Sequence, residues 1–252
     1  MQIERLRQIV ERLRAPDGCP WDREQTHQSL KPHLLEECYE LLDAIDARDD
    51  SELKEELGDL LLQVVMHAQM ASEEQRFTLD DVAEVTADKL VNRHPHVFGE
   101  NPLPNSDAVL QQWDAIKRGE KDQRKSALDG VPKNLPALAK AQKVQTKAAR
   151  VGFDWQEPNE VLAKIHEEIQ EIDSASGKEL ADEIGDLLFA VVNFARKHKL
   201  DAEQLLAGAT AKFSKRFQAM ESLAEARGLE LSKLTLEQMD ALWNKVKAKA
   251  EE

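Results

Sequence analysis

The chain has 252 residues, 41% hydrophobic and 33% charged, enough for one large helix-rich globular domain or two small ones. A formal net charge of −14 excludes general nucleic-acid binding, which needs a basic face, and disfavours anionic membrane surfaces. No apolar run approaches the roughly 20 residues of a membrane span, and Met1 to Arg14 reads as a charged amphipathic helix, not a signal peptide. Cys19 and Cys38 lack zinc-like spacing, so free thiols in a cytoplasmic protein are expected.

Ile3, Leu6, Ile9, Val10 and Leu13 recur at helical spacing and predict a first helix ending near Ala15-Pro16. Pro16 to Asp22 is a turn-rich loop anchored by Trp21. Ser29 is expected to cap the next helix, with Pro32 in its first turn and Glu36, Glu37 and Glu40 along it to about Ala47. After Asp49-Asp50-Ser51, a long helix spans roughly Glu52 to Glu74. Its middle, Leu60 to Met70, is apolar on most faces, which predicts burial, partly against another subunit. Thr78 and Asp81 form a capping arrangement for a helix through Asn92, closed by the His94-Pro95-His96 turn. A helix around Asp107 to Arg118 carries Trp113.

Residues 119 to 134 are polar and turn-rich, which places a linker at 121–134 between units 1–120 and 135–252. The second unit predicts a helix from about Leu135 to Val151, then a loop holding Gly152-Phe153-Asp154-Trp155. An acidic helix follows from Glu157 to Ala175, and a long apolar one from Lys178 to His198. Asp201 caps a helix reaching Arg227, and Thr235 with Gln238 caps the last, which carries Trp243. The halves retrace each other. Glu56 to Val65 matches Glu183 to Val192, Lys89 and Arg93 match Lys212 and Arg216, and Trp113 matches Trp243. No sustained strand alternation occurs. The expected fold is all-α, a tandem repeat of two similar helical bundles.

Each half carries the same acidic spacing. Glu168 and Glu171 lie three apart on one helix, Glu183 and Asp186 three apart on the next. The first half has Glu37 and Glu40, then Glu56 and Asp59. Residues three apart on a helix sit about 60° around the axis and share a face. Two such helices packed antiparallel bring four carboxylates together, and that charge repels itself unless a cation is present. Oxygen-only ligation suits Mg²⁺ or Mn²⁺ better than zinc. A solvated acidic face is the alternative for one copy; two copies in matching apolar surroundings favour the cation.

Glu167 is placed to orient or deprotonate a water. Lys164, Lys212, Lys215 and Arg216 are the cations a polyphosphate needs beside a metal, although each alone is equally an ordinary surface charge. Trp243 suits either base stacking or a bundle core. Gly58 and Gly185, inside the second acidic helix of each half, imply close approach by a ligand or by another helix. Glu24-x-x-His27 has no counterpart in the second half, which argues against a di-iron bundle. No nucleophile motif is present.

Glu-Glu-x-x-Glu followed by Glu-x-x-Asp resembles the signature of the MazG-type all-α nucleoside triphosphate pyrophosphohydrolases. Gly18 to Asp22, Arg93 to Phe98 and Gly152 to Trp155 fall in the matching order, so the resemblance covers nearly the whole chain. It implies Mg²⁺-dependent hydrolysis of NTP and dNTP between the α and β phosphates, broad base tolerance and an intertwined homodimer that completes the bundles. It puts metal ligands at Glu168, Glu171, Glu183 and Asp186, and substrate contacts at Lys164, Lys212, Lys215, Arg216 and Trp243. The first repeat keeps Glu37, Glu40, Glu56 and Asp59 but has His33 in place of Lys164 and Asn92 in place of Lys215. With fewer permanent cations it is expected to be a weaker site or a structural unit. The competing readings are a non-catalytic nucleotide- or protein-binding helical module and a hydrolase narrow for dUTP or dCTP.

Overall fold

The computed structural model of the chain describes residues 2–99, 102–119 and 126–250, and among these every regular element is helical. The chain divides into two compact units, residues 1–122 and 123–252. The all-α expectation holds.

The first unit comprises α1 (Gln2–Arg14), α2 (Pro20–Glu24), α3 (Lys31–Ala47), α4 (Asp50–Glu73), α5 (Leu79–Arg93), α6 (Pro95–Phe98) and α7 (Ser106–Gly119). Val10 of α1, Leu30, and Val65, Met66 and Met70 of α4 are buried together, with Leu6, Leu61, Leu62 and Leu79 packed around them. Each such side chain contributes about 1.5–3 kcal/mol when fully buried. That cluster fixes α4. The predicted burial of its middle is met within the unit on one side, whereas Val64 stays 40% exposed.

The α3–α4 connection is short: Arg48 takes a left-handed turn at φ 56°, and the Asp49 side chain accepts from the backbone N–H of Ser51 and Glu52. So brief a turn makes the two helices antiparallel neighbours, which is what brings their acids together. Ser29 does not cap α3. The N-cap position is Leu30, and the Ser29 hydroxyl instead accepts from the Thr26 N–H and donates to Gln25 Oε1. Pro32 explains the difference, because it removes one of the first-turn N–H groups that a cap would satisfy. The Trp21 loop contains the short helix α2, begun by Pro20, and the turn after His94 likewise winds into α6. The almost buried Arg14 holds the Trp21 loop down, pairing with Glu73 at 2.8 Å and donating to the Asp22 carbonyl.

The second unit comprises α8 (Ala137–Ala149), α9 (Pro158–Ser174), α10 (Lys178–Lys197), α11 (Ala202–Glu225), a 3₁₀ turn (Leu231–Lys233) and α12 (Leu236–Ala250). Pro158 opens α9 behind a reciprocal Glu157/Glu160 cap, and Asp201 caps α11 by accepting from the Gln204 N–H. At α12 the Thr235 N–H donates to Gln238 Oε1, closing the expected capping pair. Gly177 makes the left-handed turn into α10 at φ 60°, so α9 and α10 form a second antiparallel hairpin. Val192, Ala195 and Ala202 are buried against Leu138 and Ala141 of α8, while Met220, Ala224 and Leu242 join α11 to α12. Residues 121–125 of the expected linker lie outside the described residues. Its described part is held to α8 by Lys147, whose ammonium donates to the Asp129 carbonyl at 2.7 Å.

Candidate functional site

Each hairpin assembles an acid cluster. In the second unit, Glu168 and Glu171 of α9 meet Glu183 of α10, with one oxygen from each lying within 4.8 Å of the others. In the first, Glu37 of α3 meets Glu56 and Asp59 of α4 within the same span. Asp186 and Glu40 stand outside these threes but close enough to act on them by charge, Asp186 on Glu183 and Glu40 on Glu37 and Glu56. The four repeated positions therefore converge in both units, each cluster leaving out a different one.

Burial and repulsion leave their mark on ionisation. Desolvation, then the charges of Glu171, Glu168 and Asp186, push the Glu183 carboxyl above the usual 4.5. Desolvation also raises Glu171; the charge of Lys164 opposes it and that of Glu168 adds to it. Glu37 and Glu56 are raised in the same way, desolvation first and neighbouring carboxylates after, with the charge of His33 opposing the rise at Glu37. Carboxyls held above 4.5 favour the fold fully below that value, and the contribution is lost as pH rises through the raised values. A divalent cation reverses this penalty, so it must compete with protons. Its affinity, followed by calorimetry, is expected to fall steeply as pH drops from neutrality into the raised range, with proton release on binding. Affinity that stays flat across that range would show that the cation binds elsewhere.

Glu168 is the anchor of its cluster, at 3% exposure the one buried member. One turn earlier on α9, the Lys164 ammonium lies 2.8 Å from Glu168 Oε1 and 2.7 Å from Glu167 Oε1. Both partners raise its affinity for its proton, Glu167 first. His33, at the matching position of α3, has Nδ1 at 3.6 Å from Glu36 and makes no ion pair with Glu37.

The other predicted contacts are not brought to the acids. Lys212 and Lys215 are exposed on α11, Arg216 is half-buried, and none of the three makes an ion pair with Glu168, Glu171 or Glu183. Trp243 lies in the α11–α12 core, its ring centroid 5.2 Å from that of Phe213. In the first unit, the Arg93 guanidinium lies 5.9 Å from the centre of the Trp113 ring. A Cβ at Gly58 or Gly185 would meet nothing within 4 Å, so helix packing inside the unit is not what either glycine serves. That space is open to a ligand or to another chain.

Asp154 is the residue that sequence reasoning left without a role. Both its oxygens accept from Arg196, whose Nε also donates to the buried Asn193 amide at 2.8 Å, and Lys197 donates to the Trp155 carbonyl at 2.6 Å. An acid inside an aromatic turn motif, with Arg-Lys ending a later helix, was the available signal.

The donor set consists of carboxylate oxygens alone, which fits a hard divalent cation and not a zinc or di-iron centre. Fold and donors together define an all-α protein with two clusters of carboxylate oxygens that could each hold a metal ion. The MazG nucleotide pyrophosphohydrolase domain matches residues 25–98 and again residues 156–220, each span enclosing one acid cluster. A Thermotoga maritima protein named nucleoside triphosphate pyrophosphohydrolase/pyrophosphatase MazG is 49% identical over 247 residues, 97% of this chain and 95% of its own. An Escherichia coli K12 nucleoside triphosphate pyrophosphohydrolase is 48% identical over 255 residues, 98% of this chain and 97% of its own. A Bacillus subtilis protein, uncharacterized protein YabN, is 47% identical over 98% of this chain and 52% of its own length. The chain belongs to the MazG nucleotide pyrophosphohydrolase family.

Proposed function

We propose that the protein is a nucleoside triphosphate pyrophosphohydrolase that converts NTP and dNTP to NMP and pyrophosphate. Broad base tolerance would suit a role in clearing or regulating cytoplasmic nucleotide pools. The observation that carries this reading is the convergence of oxygen donors in each hairpin, within a chain whose relatives bear that enzyme's name.

Mg²⁺, or Mn²⁺ in its place, would neutralise the phosphates and make phosphorus more open to attack. Glu168, Glu171 and Glu183, with Asp186 beside them, would hold that ion. Glu167 holds the attacking water and takes its proton. Lys164, Lys212, Lys215 and Arg216 bind the phosphates and stabilise charge developing on the pyrophosphate leaving group, and the part of the Trp243 ring that its core packing leaves open would flank the nucleotide. Lys164 already stands at the acids; Lys212 and Lys215, exposed on α11, and the half-buried Arg216 would reach the triphosphate once it binds. The second unit is the main site, because the first has His33 for Lys164 and Asn92 for Lys215. We place a pyrophosphohydrolase-like repeat at 1–120 and the repeat with the main active site at 135–252, joined by 121–134.

A homodimer completes the bundles in this reading. Ile184, Leu188 and Val191 form an apolar stripe on α10 that is 45–54% exposed, and Phe213 on α11 is 57% exposed. The three α10 positions share one face by helical spacing, and so much exposed apolar surface calls for a second surface to cover it.

The test is product analysis: the full chain is incubated with mixed NTPs and dNTPs, with Mg²⁺ or EDTA, and products are resolved by ion exchange. NMP and pyrophosphate that vanish with EDTA are expected. NDP and phosphate would mean the wrong bond, and no turnover with any nucleotide would leave only a binding module.

A further inference from the structure

We propose that Lys164 is the resident counter-ion of the second acid cluster, held on Glu167 and Glu168 until a divalent cation displaces it and frees its ammonium for the substrate's phosphates. This rests on Glu168, Glu171 and Glu183 being the metal ligands, and it adds a sequence of events to that site.

Three observations carry it. The ammonium sits 2.8 Å from the one buried carboxylate of the cluster and 2.7 Å from Glu167, so a single cation ties up both the central metal ligand and the residue assigned to the water. Lys164 is 34% exposed at its side chain, against 5% for Glu168. A lysine stem of this length can swing outward while the carboxylate stays where α9 and α10 put it. The first hairpin shows the alternative. His33 stands at the matching position, 3.6 Å from Glu36, and acts on Glu37 through its charge without an ion pair, so the three acids there have no resident lysine.

The physical consequence is an exchange of cations. With no metal, an ammonium beside repelling carboxylates relieves part of their repulsion. A divalent ion held by the same carboxylates repels that ammonium, so each weakens the hold on the other. Metal affinity is lowered by the cost of displacing Lys164. Once released, the lysine is a free positive charge beside the metal, where a triphosphate arrives, and Glu167 loses its partner at the same moment. Metal and nucleotide thus favour each other's binding, and the two effects are equal by linkage.

The experiment titrates full-length protein with Mn²⁺, without nucleotide, and reads free Mn²⁺ by electron paramagnetic resonance. Glu56→Gln with Asp59→Asn silences the first cluster, so that one site remains. In that background Lys164→Met is expected to bind Mn²⁺ about tenfold more tightly, the scale of removing one unit charge a few ångströms from a divalent ion near the surface. The same variant is expected to raise the KM for nucleotide. Conversely, His33→Lys, with the second cluster silenced by Glu171→Gln and Glu183→Gln, is expected to weaken Mn²⁺ binding at the first. Unchanged or weaker Mn²⁺ binding in Lys164→Met overturns the exchange, whatever the His33 variant does. Glu168→Gln, in the background with the first cluster silenced, separates the two levels: if it keeps full Mn²⁺ affinity, the ligand assignment itself fails. If it loses affinity while Lys164→Met changes nothing, only the exchange fails.

Discussion

Glu168→Ala is expected to lower turnover at least about a thousandfold, the scale seen when a preorganised group facing developing charge is removed. The reason is position. Glu168 is the buried member of its cluster, the partner of Lys164, and a source of the charge that raises both Glu171 and Glu183. Alanine removes a metal donor and leaves Lys164 paired only with Glu167. The fold should survive, because removing one of several repelling carboxylates relieves strain between α9 and α10, and circular dichroism checks this. Glu37→Ala, at the same place in the first repeat, should leave most of the turnover. If Glu37→Ala instead abolished turnover in a folded protein, the assignment of the main site to the second repeat would be wrong.

Arg196→Met should carry the largest cost in stability, about 2–4 kcal/mol, as expected when one partner of a largely buried charged network is removed. Methionine keeps the aliphatic bulk but leaves Asp154 with Lys197 alone, at 3.5 Å, and strands the Asn193 amide oxygen, whose residue is only 3% exposed. Burial pushes the Asp154 carboxyl up, but the Arg196 hydrogen bonds and charge, aided by Lys197, outweigh it and hold the group below the usual 3.8. A lowered carboxyl contributes its stability above 3.8 and loses it as pH falls through the lowered value, so the pair contributes fully at neutral pH. Hydrogen exchange on the whole chain separates the units. Amides of α8 and α10 should lose protection in Arg196→Met, and those of α1 and α4 should keep it. Unchanged protection in α10 would mean that the Trp155 loop is held by its apolar contacts and not by this network.

Both expectations depend on what could be read before any coordinates and on what could not. The helices were legible because their signals are local. Periodic apolar residues, Pro32 and Pro158 at first turns, and the Thr78/Asp81 and Thr235/Gln238 caps act within a few residues of themselves. Ser29 misled because a good capping residue is useless where a proline has removed the donor it would serve. The acid clusters were legible for a related reason: i, i+3 spacing on two helices joined by a short turn leaves little freedom in where those carboxylates go.

The chain alone thus determined the all-α class, the duplication and the residues of both acid clusters, each a matter of short-range geometry or of repeated pattern. The folded arrangement decided the rest: that each cluster draws three of four acids within reach, that Lys164 pairs with Glu168 while His33 pairs with Glu36, and that Trp243 packs into a core. It also assigned Asp154 to Arg196, a partner 42 residues away. Such pairings depend on which helix faces meet, and side-chain reach across a packed interface is not encoded in the spacing of either helix by itself.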